Sequence, residues 1–397
     1  MNSNKKQVNL FTAVVYCAVF FMCMSNNIVG PLLSNIMQHY SIRLDGGGLM
    51  SMFQNIGGTL AIILFSFIMD KLNKPVAFMA PMLFLAIAML LIGTAPAYAV
   101  FMILFLFFGI SFSTMDMMGN AIIPDVQRER SDAALSLMHG IASIGAVLAP
   151  LIAGGITQAG LPWQNVYTAV ACVLLLILIV YAITFIFTRS SLKAVKAAQS
   201  AHREKGIAKK FVRDKNVWVA VGSIVLFGGF QSGILVWVSQ YFKDMFGSGQ
   251  LAAGLALTAY WLGAGIVRLL FGMTPLRKLT TRPLAIYGNI ISGLFLVIGV
   301  LIHNYYAMLA CVFLAGCANA PVLPRTVGLV CGWYRSNSGL ASSAVFSALY
   351  LSYALVPLLM GTLASAWGLN ALMLVPAVCT VLAGFLAILL PKKAAAC

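Results

Sequence analysis

Apolar residues run in blocks of about twenty along nearly the whole chain, and short polar or Gly/Pro-containing connections separate the blocks. A helix rises 1.5 Å per residue, so about 20 apolar residues cross the roughly 30 Å of bilayer hydrocarbon. Twelve blocks read this way, at about 10–36, 47–69, 75–95, 98–123, 134–157, 165–188, 217–242, 251–274, 283–302, 305–329, 339–365 and 370–390. The pattern predicts an all-α integral membrane protein with twelve transmembrane helices.

The blocks repeat. Pro150-Leu-Ile-Ala-Gly154 recurs as Pro357-Leu-Leu-Met-Gly361, 207 positions on, and Gly109 stands the same 207 positions before Gly316. The turn Asp70-Lys71-Leu-Asn-Lys74-Pro75 precedes Leu276-Arg277-Lys278 by about 206. One offset shared by three landmarks predicts two six-helix halves, 1–188 and 217–397, joined by a basic linker at 189–216. Repeats of this kind place a binding site between the halves, near the membrane midplane.

Composition removes other classes. The chain is 61% hydrophobic and 9% charged, too apolar to clothe a water-facing surface. Its net charge of +16 would suit nucleic acid, but the basic residues sit in the connections between blocks. With the N-terminus inside, twenty-one Lys and Arg fall on that side and only Arg43 and Lys243 on the other. This imbalance predicts both termini in the cytoplasm, in a cell inner or plasma membrane. The linker carries nine Lys and Arg against Glu204 and Asp214. It reads as a solvated tether first and a contact for anionic lipid second. Eight cysteines show no metal-binding spacing, so no metal or cofactor is expected. No HExxH, GxSxG or phosphate-binding loop is present, which argues against an enzyme. The expected partners are a small-molecule substrate, protons and the lipid bilayer, for a monomer that binds no nucleic acid.

The candidate chemistry lies where polar groups interrupt the blocks. Within Gly109–Asp125 stands Asp116, with Asn120 one turn on. An ionisable group at membrane depth costs roughly 2.5–3.5 kcal/mol on insertion scales, so it is functional by default. Asp116 is the candidate proton carrier; a structural, permanently paired aspartate is the other reading. Arg268 and His139 come from similar depth as possible partners. Asn26, Asn27, Gln54, Asn55, Asn120, Gln231, Gln240 and Asn319 supply amides that could read hydroxyls, and Trp237, Tyr260 and Trp261 supply flat faces.

Several stretches carry a resemblance. Ser66-Phe-Ile-Met-Asp70-Lys71-Leu-Asn73-Lys74 resembles the loop signature of the major facilitator superfamily, with Ser66 and Asn73 in place of its glycines. Gly145-Ala-Val-Leu-Ala-Pro150-Leu-Ile-Ala-Gly154 resembles that superfamily's fifth-helix signature. The resemblance implies a gating role for Asp70, Lys71, Lys74, Arg128, Arg130, Gly145, Pro150 and Gly154, with helix packing as the plainer reading of the last three. Asp116-Met-Met-Gly-Asn120, Gly229-Phe-Gln231…Trp237…Gln240 and Gly316-Cys-Ala-Asn319-Ala-Pro321-Val-Leu-Pro324 are similar to patches of the fucose-permease-like, sugar:H⁺ symporter branch. That likeness implies alternating-access transport of a sugar-like solute, proton-coupled through Asp116 with His139. Asn26, Asn27, Asn120, Gln231, Trp237, Gln240, Arg268 and Asn319 are the candidate substrate contacts, most of them because helices 1, 4, 7 and 10 line the central cavity in the superfamily resembled, with a structural helix-end role as the plainer reading of Arg268. The branch's first-helix acid is absent and its seventh-helix glutamate is Gln231, so no second carboxylate shares the proton. Two alternatives stay open: an organic-anion transporter or exchanger using Arg268, and a multidrug exporter.

Overall fold

Each predicted block is helical in the computed structural model, which describes residues 2–68, 72–127, 131–196, 211–273, 279–334 and 338–391. The helices are α1 Asn2–Asn27, α2 Val29–His39, α3 Leu44–Ile68, α4 Lys74–Ala77, α5 Met79–Gly93, α6 Tyr98–Val126, α7 Ser131–Gln158, α8 Gln164–Lys196, α9 Lys215–Phe246, α10 Gln250–Met273, α11 Thr281–Ile302, α12 Tyr305–Asn319, α13 Val322–Trp333, α14 Ser338–Trp367 and α15 Ala371–Ala387. Eleven stretches are long and apolar enough to cross a membrane, two of them combining a helix pair (α4/α5 and α12/α13), and Ala371–Ala387 is a shorter apolar helix. The twelve-crossing prediction stands. Asp70, Lys71, Arg128, Arg130 and residues 197–210 of the linker lie outside the described residues.

Local chemistry sets the ends. Asp214 caps α9 by accepting from the Asn216 N–H at 2.9 Å, and Gly247 closes that helix with φ 60°. Asn304 caps α12 by accepting from the N–H groups of Tyr306 and Ala307. Lys74 pairs with Asp125 at 2.8 Å, tying the start of α4 to the end of α6.

The repeat is visible as matched close approaches, where one helix's carbonyl occupies the space a side chain would need. Gly57 of α3 faces the Leu106 carbonyl of α6, and Gly109 of α6 faces the Gln54 carbonyl of α3. In the second half Gly263 of α10 faces the Phe313 carbonyl of α12, and Gly316 of α12 faces that of Tyr260 of α10. These are the same two contacts displaced by 206 or 207 positions.

The halves meet along two seams, α3 with α14 and α7 with α10. These are also related by the repeat. A methyl on Gly48 would stand 2.7 Å from the Pro357 carbonyl oxygen, and one on Gly254 would stand 2.7 Å from that of Pro150. Gly361 faces the Leu44 carbonyl as Gly154 faces that of Gln250. Thus Gly154 and Pro150 pack one half against the other, whereas Gly145 packs on the Phe20 carbonyl within its own half. The chain begins on one face of the bundle, called the terminal face below, and the contacts just described lie toward the opposite, distal face.

Candidate functional site

One face of α10 reports how far the halves are joined. Residues 250, 254, 258, 261, 265 and 268 recur every three or four positions and so share that face. From the distal end, Gln250 donates to Ser34 Oγ at 3.1 Å. Gly254 lies on Pro150, and Thr258 donates to the Val147 carbonyl at 3.0 Å. Trp261 donates its indole N–H to Asn27 Oδ1 at 2.6 Å. The contacts then stop: among the described residues nothing lies within 4 Å of where a methyl on Gly265 would be, and the same holds for Gly140 on α7. Continuing the pairing of 154 with 250, 150 with 254 and 147 with 258 would set 140 opposite 265. A cleft therefore opens toward the terminal face, starting below Trp261.

Some of the polar groups singled out in the sequence line this cleft. On the first half, Asn120 Nδ2 donates to Asp116 Oδ1 at 3.2 Å and to the Asp116 carbonyl at 2.8 Å. Asn120 Oδ1 lies 2.9 Å from His139 Nε2. With the amide oriented that way, Nε2 carries the proton it donates. The result is a hydrogen-bonded chain from carboxylate to amide to imidazole. Asp116 and Asn120 are partly exposed and His139 is exposed. His139 sits on the face of α7 away from the apolar outer stripe of Leu137, Ile144, Leu148 and Ile152, so its exposure is to the cleft.

On the second half, Arg268 donates Nε–H to the Ala320 carbonyl at 3.3 Å, and its guanidinium carbon stands 5.8 Å from the centre of the Trp261 ring. Around it stand Tyr260, Gln231 and Tyr353, with Tyr353 donating to Gln231 Oε1 at 2.6 Å. Tyr350 stacks at a tilt on Tyr353, 5.9 Å between ring centres, and lies against Gly58 of the first half. The charges of Asp116 and Arg268 both act on His139 and on Cys23, which places the acid, the imidazole and the guanidinium around one space. Asp116 acts on Tyr350 as well.

Three predicted ligands point elsewhere. Trp237 is fully buried in the distal seam, donating to the Pro357 carbonyl at 3.0 Å and pressed on Gly47 and Gly361. Gln240 donates to Asp244 at 2.6 Å, in the last turns of α9. Asn319 turns away from the cleft, donating to Asn289 Oδ1 at 3.2 Å beside Thr380. A polar residue's place on a spacing pattern does not give its rotation about the helix, and in these cases a structural partner takes the side chain. Asn26 is already engaged as well, accepting from Gln54 at 2.6 Å. Tyr350 and Tyr353 went unseen because aromatic residues in an apolar block look like packing. The signal was their position, on the same stripe of α14 as Pro357 and Gly361.

The sequence matches the family described as Major Facilitator Superfamily over residues 15–273 and 234–396. The chain belongs to the Major Facilitator Superfamily. An uncharacterized transporter of the same superfamily type, YfkL of Bacillus subtilis (strain 168), is 24% identical over 362 residues, covering 89% of each chain. The fold is that of two crystal structures of a bacterial homologue of the human lysosomal transporter Spinster. The inward-facing, occupied structure aligns at TM-score 0.78 with 13% identity over 96% of both chains. The inward-facing, unoccupied one aligns at 0.76 with 12% identity over 97% of both. Major Facilitator Superfamily membership makes the chain a transporter, and the cleft between its halves is where a transporter of this build holds its solute. The fucose-permease-like branch stays a likeness of short motifs, since the matches reach the superfamily level.

Proposed function

We propose that this protein carries a small polar organic solute across the cell membrane by alternating access, coupled to protons at Asp116, with both termini in the cytoplasm. In that orientation the state described here is open to the cytoplasm. The observation that supports coupling most is the chain Asp116–Asn120–His139, partly water-accessible on one side of the membrane and roofed by the joined distal seam. A proton entering from the open face meets His139 first and Asp116 behind it. When the halves rock the other way, the same groups face the opposite side. The gating role of Gly154 and Pro150 fits this cycle, because both sit where the halves must part.

The sugar-like solute class is what the likeness to the fucose-permease-like branch implies, with the amides as the groups that would read its hydroxyls. Most of those amides are engaged with one another or with aromatic side chains, so the proposal keeps the broader class.

In proteoliposomes with an imposed pH gradient, solute accumulation is expected to depend on the gradient. Asp116→Asn should abolish uphill accumulation while leaving solute exchange without a gradient. Accumulation that persists in Asp116→Asn would remove Asp116 from the coupling role.

A further inference from the structure

Among the described residues, Arg268 is a strong donor in the cleft whose capacity is unspent. Its Nε is used on Ala320 and its flat face on Trp261, and neither contact takes the two terminal nitrogens. Among the described residues no carboxylate stands within ion-pair distance of it. Asp116, the acid whose charge reaches the same space, is held by Asn120 instead.

Proline fixes this presentation. In an uninterrupted helix the N–H of residue 324 would take the Ala320 carbonyl, but Pro324 has none. The orphaned carbonyl is the one that Arg268 Nε finds. With Nε and the ring face occupied from behind, the terminal nitrogens are the part of the guanidinium left to meet a ligand. A planar fork of that kind matches a carboxylate, whereas a hydroxyl cannot use both nitrogens at once. A partly buried, unpaired guanidinium is also costly, so an anion completes the site rather than adding to it.

We propose that the solute is a small organic acid, its carboxylate held by the two terminal nitrogens of Arg268 and its body lying along Trp261 and Tyr353. This deepens the reading above and rests on its proton step. The carboxylate brings one negative charge into the space that Asp116 shares with His139 of α7, Arg268 of α10, Cys23 of α1 and Tyr350 of α14. That added charge favours the protonated form of Asp116. One proton therefore travels with one carboxylate, taken from water on the open side and returned on the other, and the loaded site carries no extra charge. Pro324 and Trp261 are positioning residues that act through Arg268.

The test uses the purified full-length protein and matched pairs of probes that differ in charge: gluconate with glucose, phenylacetate with phenylacetamide, and lactate with lactamide. Inorganic phosphate is included as a non-organic anion. Binding is followed by tryptophan fluorescence and by thermal stabilisation at pH 6 and pH 8. At least one acid is expected to bind ten-fold or more tightly than its neutral partner, and more tightly at pH 6 than at pH 8. Arg268→Gln should erase that preference. Arg268→Lys, which keeps the charge without the fork, should restore less than half of it on a logarithmic scale. Pro324→Ala, which returns a helical N–H to Ala320 and frees Arg268 to move, should weaken acid binding about three- to ten-fold while leaving the neutral partner unchanged. The proposal is overturned if no acid outbinds its partner, if the preference survives Arg268→Gln in a protein that melts like the parent, or if phosphate alone binds. An acid preference lost in Arg268→Gln but indifferent to pH would uphold the anion site and sink the proton step at Asp116.

Discussion

The two seams between the halves are copies of one another, yet one is joined further than the other. Along α3 and α14 the contacts run from Leu44 with Gly361, through Gly48 with Pro357 and Ser51 with the Tyr353 carbonyl, to Gly58 with Tyr350. Along α7 and α10 the matching series runs through Gly154 and Pro150 and ends at Val147 with Thr258, beyond which Trp261 bonds Asn27 of α1. At the offset of 206 that relates α3 to α10, the counterpart of Gly58 is the buried Ala264, and beside it Gly265 has nothing among the described residues within 4 Å of where a methyl would be. The residue that fills Gly58 is Tyr350, whose counterpart 207 positions earlier is Ser143. Ser143 is too small to cross the gap, and its hydroxyl donates back to the His139 carbonyl at 2.8 Å. A tyrosine in one copy and a serine in the other, and Gly58 in one against Ala264 in the other, are the departures from the repeat at the level where the α7–α10 contacts stop. A repeated scaffold sets where the halves touch, and single departures from the repeat set where they leave room.

This comparison can be broken experimentally. The largest effect is expected from Ser143→Tyr, which would give the open seam the filler its twin possesses. The new ring would close over Ala264 and Gly265 and block the approach to His139 and Arg268. Transport should be lost, with normal expression and melting temperature; wild-type uptake by this variant would refute the account of the asymmetry. Next, Tyr350→Ser should unfasten the joined seam. Deleting a buried aromatic costs about 3 kcal/mol, enough to shift the balance between open and closed distal states by roughly a hundred-fold on the usual logarithmic scale. Labelling of a cysteine placed at Ser51, which is buried in that seam, should rise accordingly. The smallest effect is expected from Trp261→Phe, which removes the indole bond to Asn27. Hydrogen bonds between membrane helices average about 0.6 kcal/mol, so the same labelling should change only about three-fold.

Much of this was legible from the sequence. Block length gave twelve crossings, and the recurrence of Pro150–Gly154 as Pro357–Gly361 pointed to paired halves. The cost of burying a charge singled out Asp116, and its neighbours at similar depth, His139 and Arg268, do share its space. What the sequence could not give was rotation and partner. Depth along a helix follows from counting residues, but the direction of a side chain depends on which neighbouring helix offers it a bond. Asn319 found Asn289, Gln240 found Asp244, and Asn120 came between Asp116 and His139. Nor does an aromatic residue in an apolar run reveal that it crosses a seam, which is why Tyr350 escaped notice.

The bonds that fasten the distal seam share one property. Ser34 with Gln250, Gln158 with the Leu251 N–H, Thr258 with the Val147 carbonyl, Ser51 with the Tyr353 carbonyl and Trp261 with Asn27 are all made between uncharged groups. Salt screens charges and leaves neutral hydrogen bonds nearly untouched. The rate at which the distal side parts should therefore hold steady from low to high ionic strength. Capture of a charged solute by Arg268 would weaken over the same range. Ionic strength thus offers a dial that turns one half of the transport cycle and leaves the other alone.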